Sequence, residues 1–311
     1  MGKTAFVFAG QGAQAVGMGK ELADNFACAK QVFEEASDSL GFDIEEMIFR
    51  GDADTLMVTE NTQPTVVTMS TAALRVLEEK GIRADVAAGL SLGEYTAHIA
   101  AGSLGFGEAV KLVKKRGKYM QEEVPQGVGA MAAIIALAPE AVVECCQKAS
   151  AEGICEPANF NCPGQIVVSG EVKAVEACCA LAKEAGAKRA MLLPVSAPFH
   201  CSMLTGAGKK LEQEFKNVTV QDMQIPVITN VTADYVAAKE DIIPLLVKQV
   251  SHSVLWEKSI RRMLEDGVDT FIEIGPGKTL SGFIKKISKD VATYNVEDLA
   301  SLEKTLTGVC G

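Results

Sequence analysis

The sequence predicts an α/β fold built on a mostly parallel sheet, with a small βαββαβ unit of ferredoxin-like order inserted in it. Three observations carry this expectation. Short apolar runs alternate with helical periods towards both ends of the chain, the pattern of a parallel sheet covered on both faces. The middle of the chain runs strand, helix, two strands, helix, strand, which is the split-βαβ order. Pro125-Gln126-Gly127 and the stretch from Pro194 to Pro198 punctuate the chain on either side of that unit. The expected organisation is a discontinuous main domain, residues 1–127 and 198–311, carrying an inserted domain at 128–197.

Taken in order, residues 4–9 form a short apolar run ending in the turn Gly10-Gln11-Gly12, which reads as a strand. Helical spacing predicts helices over 20–38 and roughly 63–80, the second with Pro64 in its first turn, where a missing N–H is harmless. Residues 86–90 are a buried strand, and 92–101 and 107–122 are helices. The inserted unit comprises strand 129–137, helix 139–151, strands 154–159 and 165–169, helix 172–185 and strand 188–195. Beyond it, 226–230 and 270–274 read as strands and 280–288 as a helix.

Composition narrows the function. With 48% hydrophobic and 23% charged residues in 311, the chain can bury a substantial core and is not disordered. Thirty basic against forty acidic side chains leave a net charge of −10, the wrong sign for a nucleic-acid binder. The stretches 124–139 and 190–208 lack charged residues and approach the length of a membrane span. Pro125, Gln126 and Gly127 interrupt the first, and Pro194, Ser196, Pro198 and His200 the second, so no membrane association is expected. The N-terminus leads straight into a strand without a secretory signal pattern. Nine cysteines include no C-x-x-C pair, and they read as reduced thiols of a cytoplasmic protein. Neither they nor the three histidines show a metal-ligand spacing, so no metal and no cofactor are expected.

Two nucleotide-loop lookalikes fail. Gly277-Lys278-Thr279 ends like a phosphate loop, but Ile272 stands where the first glycine is needed, and Gly19-Lys20 is followed by Glu21. Gly10-Gln11-Gly12 lacks the third glycine of a dinucleotide fingerprint, Ala15 holding its place. Gly89-Leu90-Ser91-Leu92-Gly93 is different, because this G-x-S-x-G joins a strand to a helix. A serine on that turn is exposed above the sheet, and flanking glycines avoid a clash across the bend. The Leu92 N–H lies where an oxyanion could develop. The alternative is a glycine-bordered turn with a capping serine.

A serine nucleophile needs a base. His98 is seven residues along the same helix, about 10 Å along its axis, and out of reach of Ser91. His200 and His252 are equal candidates on spacing. Arg116 falls on the apolar stripe of the helix 107–122, with Ala109, Leu112, Val113 and Met120. A guanidinium on a buried face requires a partner, either a core carboxylate or a carboxylate ligand clamped by both arms.

Together, Phe8-Ala9-Gly10-Gln11-Gly12-Ala13-Gln14, Gly89-Leu90-Ser91-Leu92-Gly93-Glu94-Tyr95, Arg116-Gly117, Ala158-Asn159-Phe160-Asn161, Pro198-Phe199-His200 and Glu273-Ile274-Gly275-Pro276-Gly277 resemble the malonyl-CoA:acyl carrier protein transacylases of dissociated bacterial fatty-acid synthesis. The resemblance runs from residue 5 to about 285. It implies an α/β-hydrolase-like core with a ferredoxin-like insert, malonyl-CoA as substrate and acyl carrier protein as partner. It implies Ser91 as the acyl-carrying nucleophile and His200 as its base, which decides between the two histidines. Backbone N–H groups of Gln11 and Leu92 would form the oxyanion hole, and Arg116 would grip the malonyl carboxylate. Gln249 would orient the histidine through its carbonyl, Asn161 and Asn230 would line the site, and Phe199 would mark malonyl selectivity. An ordinary serine esterase or thioesterase, and a non-catalytic scaffold, are the rival readings.

Overall fold

The structure is a computed structural model that describes residues 2–195 and 197–310, so Ser196 and the Cys310 side chain fall outside it. In chain order its strands are β1 (Lys3–Phe8), β2 (Val86–Gly89), β3 (Gly129–Ile135), β4 (Cys155–Cys162), β5 (Gln165–Glu171), β6 (Arg189–Leu192), β7 (Val227–Ile228), β8 (Val268–Ile274) and β9 (Ala292–Val296). They form a five-stranded sheet of order β7-β2-β1-β8-β9 and a four-stranded sheet of order β4-β5-β3-β6.

Every pairing in the larger sheet is parallel. Its central strand shows why: Ala5, Phe6, Val7 and Phe8 are all buried, a run without alternation that only a sheet covered on both faces can accommodate. The large apolar cluster on one side takes Phe6 and Phe8, and a second cluster on the other takes Ala5 and Val7. The segments leaving β1, β2, β7 and β8 carry Gln11, Ser91, Asn230 and Gly275, so the carboxyl ends of neighbouring strands converge on one crevice.

The smaller sheet is antiparallel throughout. Two helices, Pro139–Ala149 and Val172–Glu184, enclose with it a separate core that includes Ile134, Val142, Val168 and Val175. It is tied to the rest of the chain by backbone bonds between Val254 and both Ala158 (2.8 Å) and Phe160 (2.9 Å), and by the Ser202 N–H donating to Glu156 (2.8 Å).

Several elements differ from expectation. The helix over 20–38 breaks at Phe26, whose backbone is extended, and continues as Ala27–Leu40 with Ala29, Val32, Phe33 and Ala36 buried. The helix expected from 63 begins at Thr59, so Pro64 lies inside it. Threonine is a poor helix former, yet these are buried and their hydroxyls donate back along the helix, Thr65 to the Asn61 carbonyl (3.0 Å) and Thr68 to that of Pro64 (2.7 Å). β6 stops at Leu192 and β7 is two residues long, both shorter than the apolar runs suggested. Helices Ile44–Phe49, Ala53–Met57, Thr205–Phe215, Trp256–Glu265 and Leu299–Cys310, and strand β9, were not anticipated. Among the described residues no helix is long and apolar enough to cross a membrane.

Candidate active site

Ser91 leaves β2 with φ 53°, a left-handed conformation that a serine adopts only under constraint. Two glycines make the turn possible. A Cβ on Gly89 would sit 1.9 Å from the Gly93 carbonyl carbon, and one on Gly93 would sit 2.1 Å from the Phe8 oxygen. Asn230 then holds the turn: its Oδ1 accepts from the Ser91 N–H at 2.6 Å and its Nδ2 donates to the Gly89 carbonyl at 2.6 Å. Both ends of that amide are committed to the backbone of the elbow.

The strained turn aims Ser91 Oγ at His200, 2.6 Å from Nε2. His200 is buried, and its own φ of 60° turns the ring towards the elbow. Its Nδ1 donates to the Gln249 carbonyl at 2.9 Å. Gln249 ends the helix Lys239–Gln249, where carbonyls lack helical partners and the negative end of the dipole lies. That carbonyl fixes the tautomer and favours the imidazolium that would form on proton transfer, with no carboxylate needed. Burial, followed by the nearby Arg116 charge, pushes the His200 pKa down to about 4. The imidazole is therefore neutral and competent as a base near pH 7.

The other histidines are elsewhere. His98 is buried beside Ser103 (2.9 Å), and burial pushes its pKa down to about 3. His252 is exposed and bonded to the Lys248 carbonyl at 2.9 Å.

Arg116 is only 2% exposed, yet no acidic side chain pairs with it among the described residues. Nη1 donates to Gln63 Oε1 (2.9 Å), Nη2 to Gln249 Oε1 (3.0 Å) and, at 3.4 Å, to Ser91 Oγ. Its carbon lies 5.5 Å from the centre of the Tyr95 ring, within cation–π range, and Nε has no partner among the described residues. Of the two readings open for Arg116, a core salt bridge is not found among the described residues. Two neutral amides hold a full positive charge beside the serine, an arrangement suited to an incoming anion.

Glu94 completes the network. It is fully buried, and its Oε2 accepts from Gln249 Nε2 (2.7 Å) and the Asn230 N–H (3.0 Å), while Oε1 has no partner among the described residues. Burial pushes its pKa up to about 7. Because Gln249 Nε2 also donates to the Ser91 carbonyl (2.9 Å), that amide can turn only its oxygen to Arg116.

Gln11, half-buried, follows β1 and donates through Nε2 to Thr59 Oγ1 at 3.3 Å. A Cβ on Gly10 would lie 2.6 Å from the Leu90 oxygen, so the loop presses against the elbow. Neither the Gln11 nor the Leu92 N–H finds an acceptor among the described residues. Phe199 is buried in the large core cluster. Asn161 lies on β4, buried, with Oδ1 unpartnered among the described residues, and no hydrogen bond joins it to Ser91 or His200. Gln63 and Glu94 escaped the sequence reading as site residues, although Glu94 stands inside the elbow motif and Gln63 in a polar run on a buried helix. Cys201, next to His200, donates to the Pro198 carbonyl, and burial pushes its thiol up to about 11, a poor nucleophile.

Residues 5–308 match the acyl transferase domain family. The chain is 47% identical over 304 residues to the malonyl CoA-acyl carrier protein transacylase of Bacillus subtilis, covering 97% of this chain and 96% of that one. It is 43% identical over 288 residues to the Escherichia coli protein of the same description, covering 92% and 93%. Among solved structures, the malonyl CoA-acyl carrier protein transacylase of Clostridium perfringens superposes with a TM-score of 0.96 at 51% identity, over 99% of this chain and 97% of that one. A malonyl-transacylase solved in complex with a type II polyketide acyl-carrier protein superposes with a TM-score of 0.96 at 41% identity, over 98% and 99%.

Proposed function

The chain belongs to the acyl transferase family, and we propose that it moves a malonyl group from malonyl-CoA to the phosphopantetheine thiol of acyl carrier protein through an ester on Ser91. The observation that carries this reading is a buried, carboxylate-free Arg116 within 3.4 Å of a serine that is itself 2.6 Å from a histidine. In the first half-reaction His200 Nε2 takes the Ser91 proton as Oγ attacks the thioester carbonyl. The negative charge that develops on the carbonyl oxygen is met by the N–H groups of Gln11 and Leu92, each such donor being worth about 10²–10³ in rate. The imidazolium then protonates the departing coenzyme A sulfur. In the second half-reaction the carrier-protein thiol gives its proton to His200, attacks the ester, and Ser91 recovers the proton.

Arg116 gives specificity. A malonyl ester on Ser91 carries a free carboxylate that can replace Ser91 Oγ and Gln249 Oε1 as acceptors, and an acetyl ester has no such group. A serine esterase is less well supported, because hydrolases of this type orient the histidine with a carboxylate, and His200 meets the Gln249 carbonyl instead. We read the larger sheet as an α/β-hydrolase-like core, residues 1–127 and 198–311, and the antiparallel unit at 128–197 as a ferredoxin-like insert. The reaction needs no cofactor or metal ion, and the free thiols of the eight described cysteines suit the cytoplasm.

Two further results are expected. The acid limb of kcat/KM should lie near pH 4 in the free enzyme, since proton uptake by His200 disables the base only there. Rates across pH 4–8 would check this, and a limb near 6.5 would mean a solvated imidazole. Glu94→Gln should lower malonyl transfer roughly ten- to a hundredfold, the worth of a hydrogen bond to a charged group. It replaces the acid that helps hold the Gln249 NH2 and so loosens the amide whose oxygen meets Arg116, so the preference for malonyl over acetyl should fall as well. A loss of thermal stability with that preference intact would assign Glu94 to folding alone.

A further inference from the structure

Away from the active site, the inserted unit gathers three thiols at one point. Cys146 lies on the helix Pro139–Ala149, Cys155 opens β4, and Cys178 lies on the helix Val172–Glu184. The Cys146 and Cys178 sulfurs are 3.8 Å apart, those of Cys155 and Cys146 are 3.9 Å apart, and all three lie within 4.8 Å of one another. Scattered positions in the sequence thus form the cluster that their spacing did not reveal. The centre of such a triangle is roughly 2.2–2.5 Å from each sulfur, matching a metal–thiolate bond of about 2.3 Å.

The surroundings select the kind of ion. Among the described residues no histidine or carboxylate joins the triangle, which excludes hard, oxygen-seeking cations. The adjacent Cys145 and Cys179 lie outside it, so the site has three ligands, one short of the tetrahedron that structural zinc requires. Cys146 and Cys155 also border a surface recess whose lining includes Glu156 and Glu171, an entry path for a cation.

We propose that Cys146, Cys155 and Cys178 form a three-thiolate site for Cu(I). On binding, three S–H bonds break and three S–Cu bonds form. The protons leave through the recess, and copper remains monovalent, so no oxidant or reductant takes part. The site is independent of Ser91 and of the acyl-transfer reading, and affinity should rise with pH as the protons are released more easily.

The test is an anaerobic titration of the reduced, full-length chain with Cu(I) drawn from a coloured chelator. One equivalent should be taken up, with sulfur-to-copper charge-transfer absorption, and X-ray absorption should count three sulfur neighbours. Cys146→Ala, Cys155→Ala and Cys178→Ala should each lose that uptake, while Cys145→Ala and Cys179→Ala keep it. The sulfur count on the unmodified chain stands even if a core variant fails to fold. Two or fewer sulfurs, uptake unchanged in Cys178→Ala, or displacement of the copper by one equivalent of Zn²⁺ would overturn the proposal.

Discussion

His200→Ala is expected to lower malonyl transfer on the order of 10⁴- to 10⁶-fold, the range seen when one member of a nucleophile–base pair is removed. The reason lies in the geometry. Ser91 Oγ has one described base within reach, His200 Nε2 at 2.6 Å, and the neighbouring cation Arg116 cannot accept a proton. The residual rate would come from the proposed oxyanion hole, since the Gln11 and Leu92 amides would act on the carbonyl oxygen whatever removes the proton. His252→Ala is the control. That ring is exposed and bonded to the Lys248 carbonyl, so its loss should change the rate by no more than about twofold. Steady-state malonylation of carrier protein checks both variants, and equal effects would take the role of base away from His200.

Arg116→Ala should lower kcat/KM for malonyl-CoA roughly thirty- to several-thousandfold, because truncating one side of a buried charge pair costs about 2–5 kcal/mol. Acetyl transfer should change far less. Arg116 is held by the Gln63 and Gln249 amides rather than by a carboxylate, so on the proposed reading a malonyl carboxylate would bring the full negative charge that its neighbours do not supply. Arg116→Lys keeps the charge but loses the fork that fits a carboxylate, and should fall between alanine and the natural residue. Parallel losses for both acyl groups would mean that Arg116 only holds Gln63 and Gln249 in place.

The elements that build the crevice were legible in the sequence where local chemistry alone decides the structure. The unbroken apolar run of β1 and the glycines around Ser91 leave few alternatives, and the punctuation around the middle unit marked where the second sheet begins and ends. Arg116 was visible as a charge on an apolar stripe, although its partners were not. Gln63 depends on where its helix starts, and threonines that bond back along the helix obscured that start. Spacing alone could not separate His200 from His252. What separates them in space is a left-handed residue at 200 and a helix that ends on Gln249, and both are set by tertiary packing. The thiol triangle was hidden for a similar reason, since its three members lie on three elements that meet only when the smaller sheet and its helices close their core.

The central claim is that the acyl group rests on the strained serine. Intact-mass measurement of the protein after malonyl-CoA is added without carrier protein, followed by peptide mapping, tests it most directly. One malonyl increment on the peptide containing Ser91, absent from Ser91→Ala and discharged by carrier protein, is the predicted result. An increment that survives in Ser91→Ala, or that maps to Cys201, would contradict it.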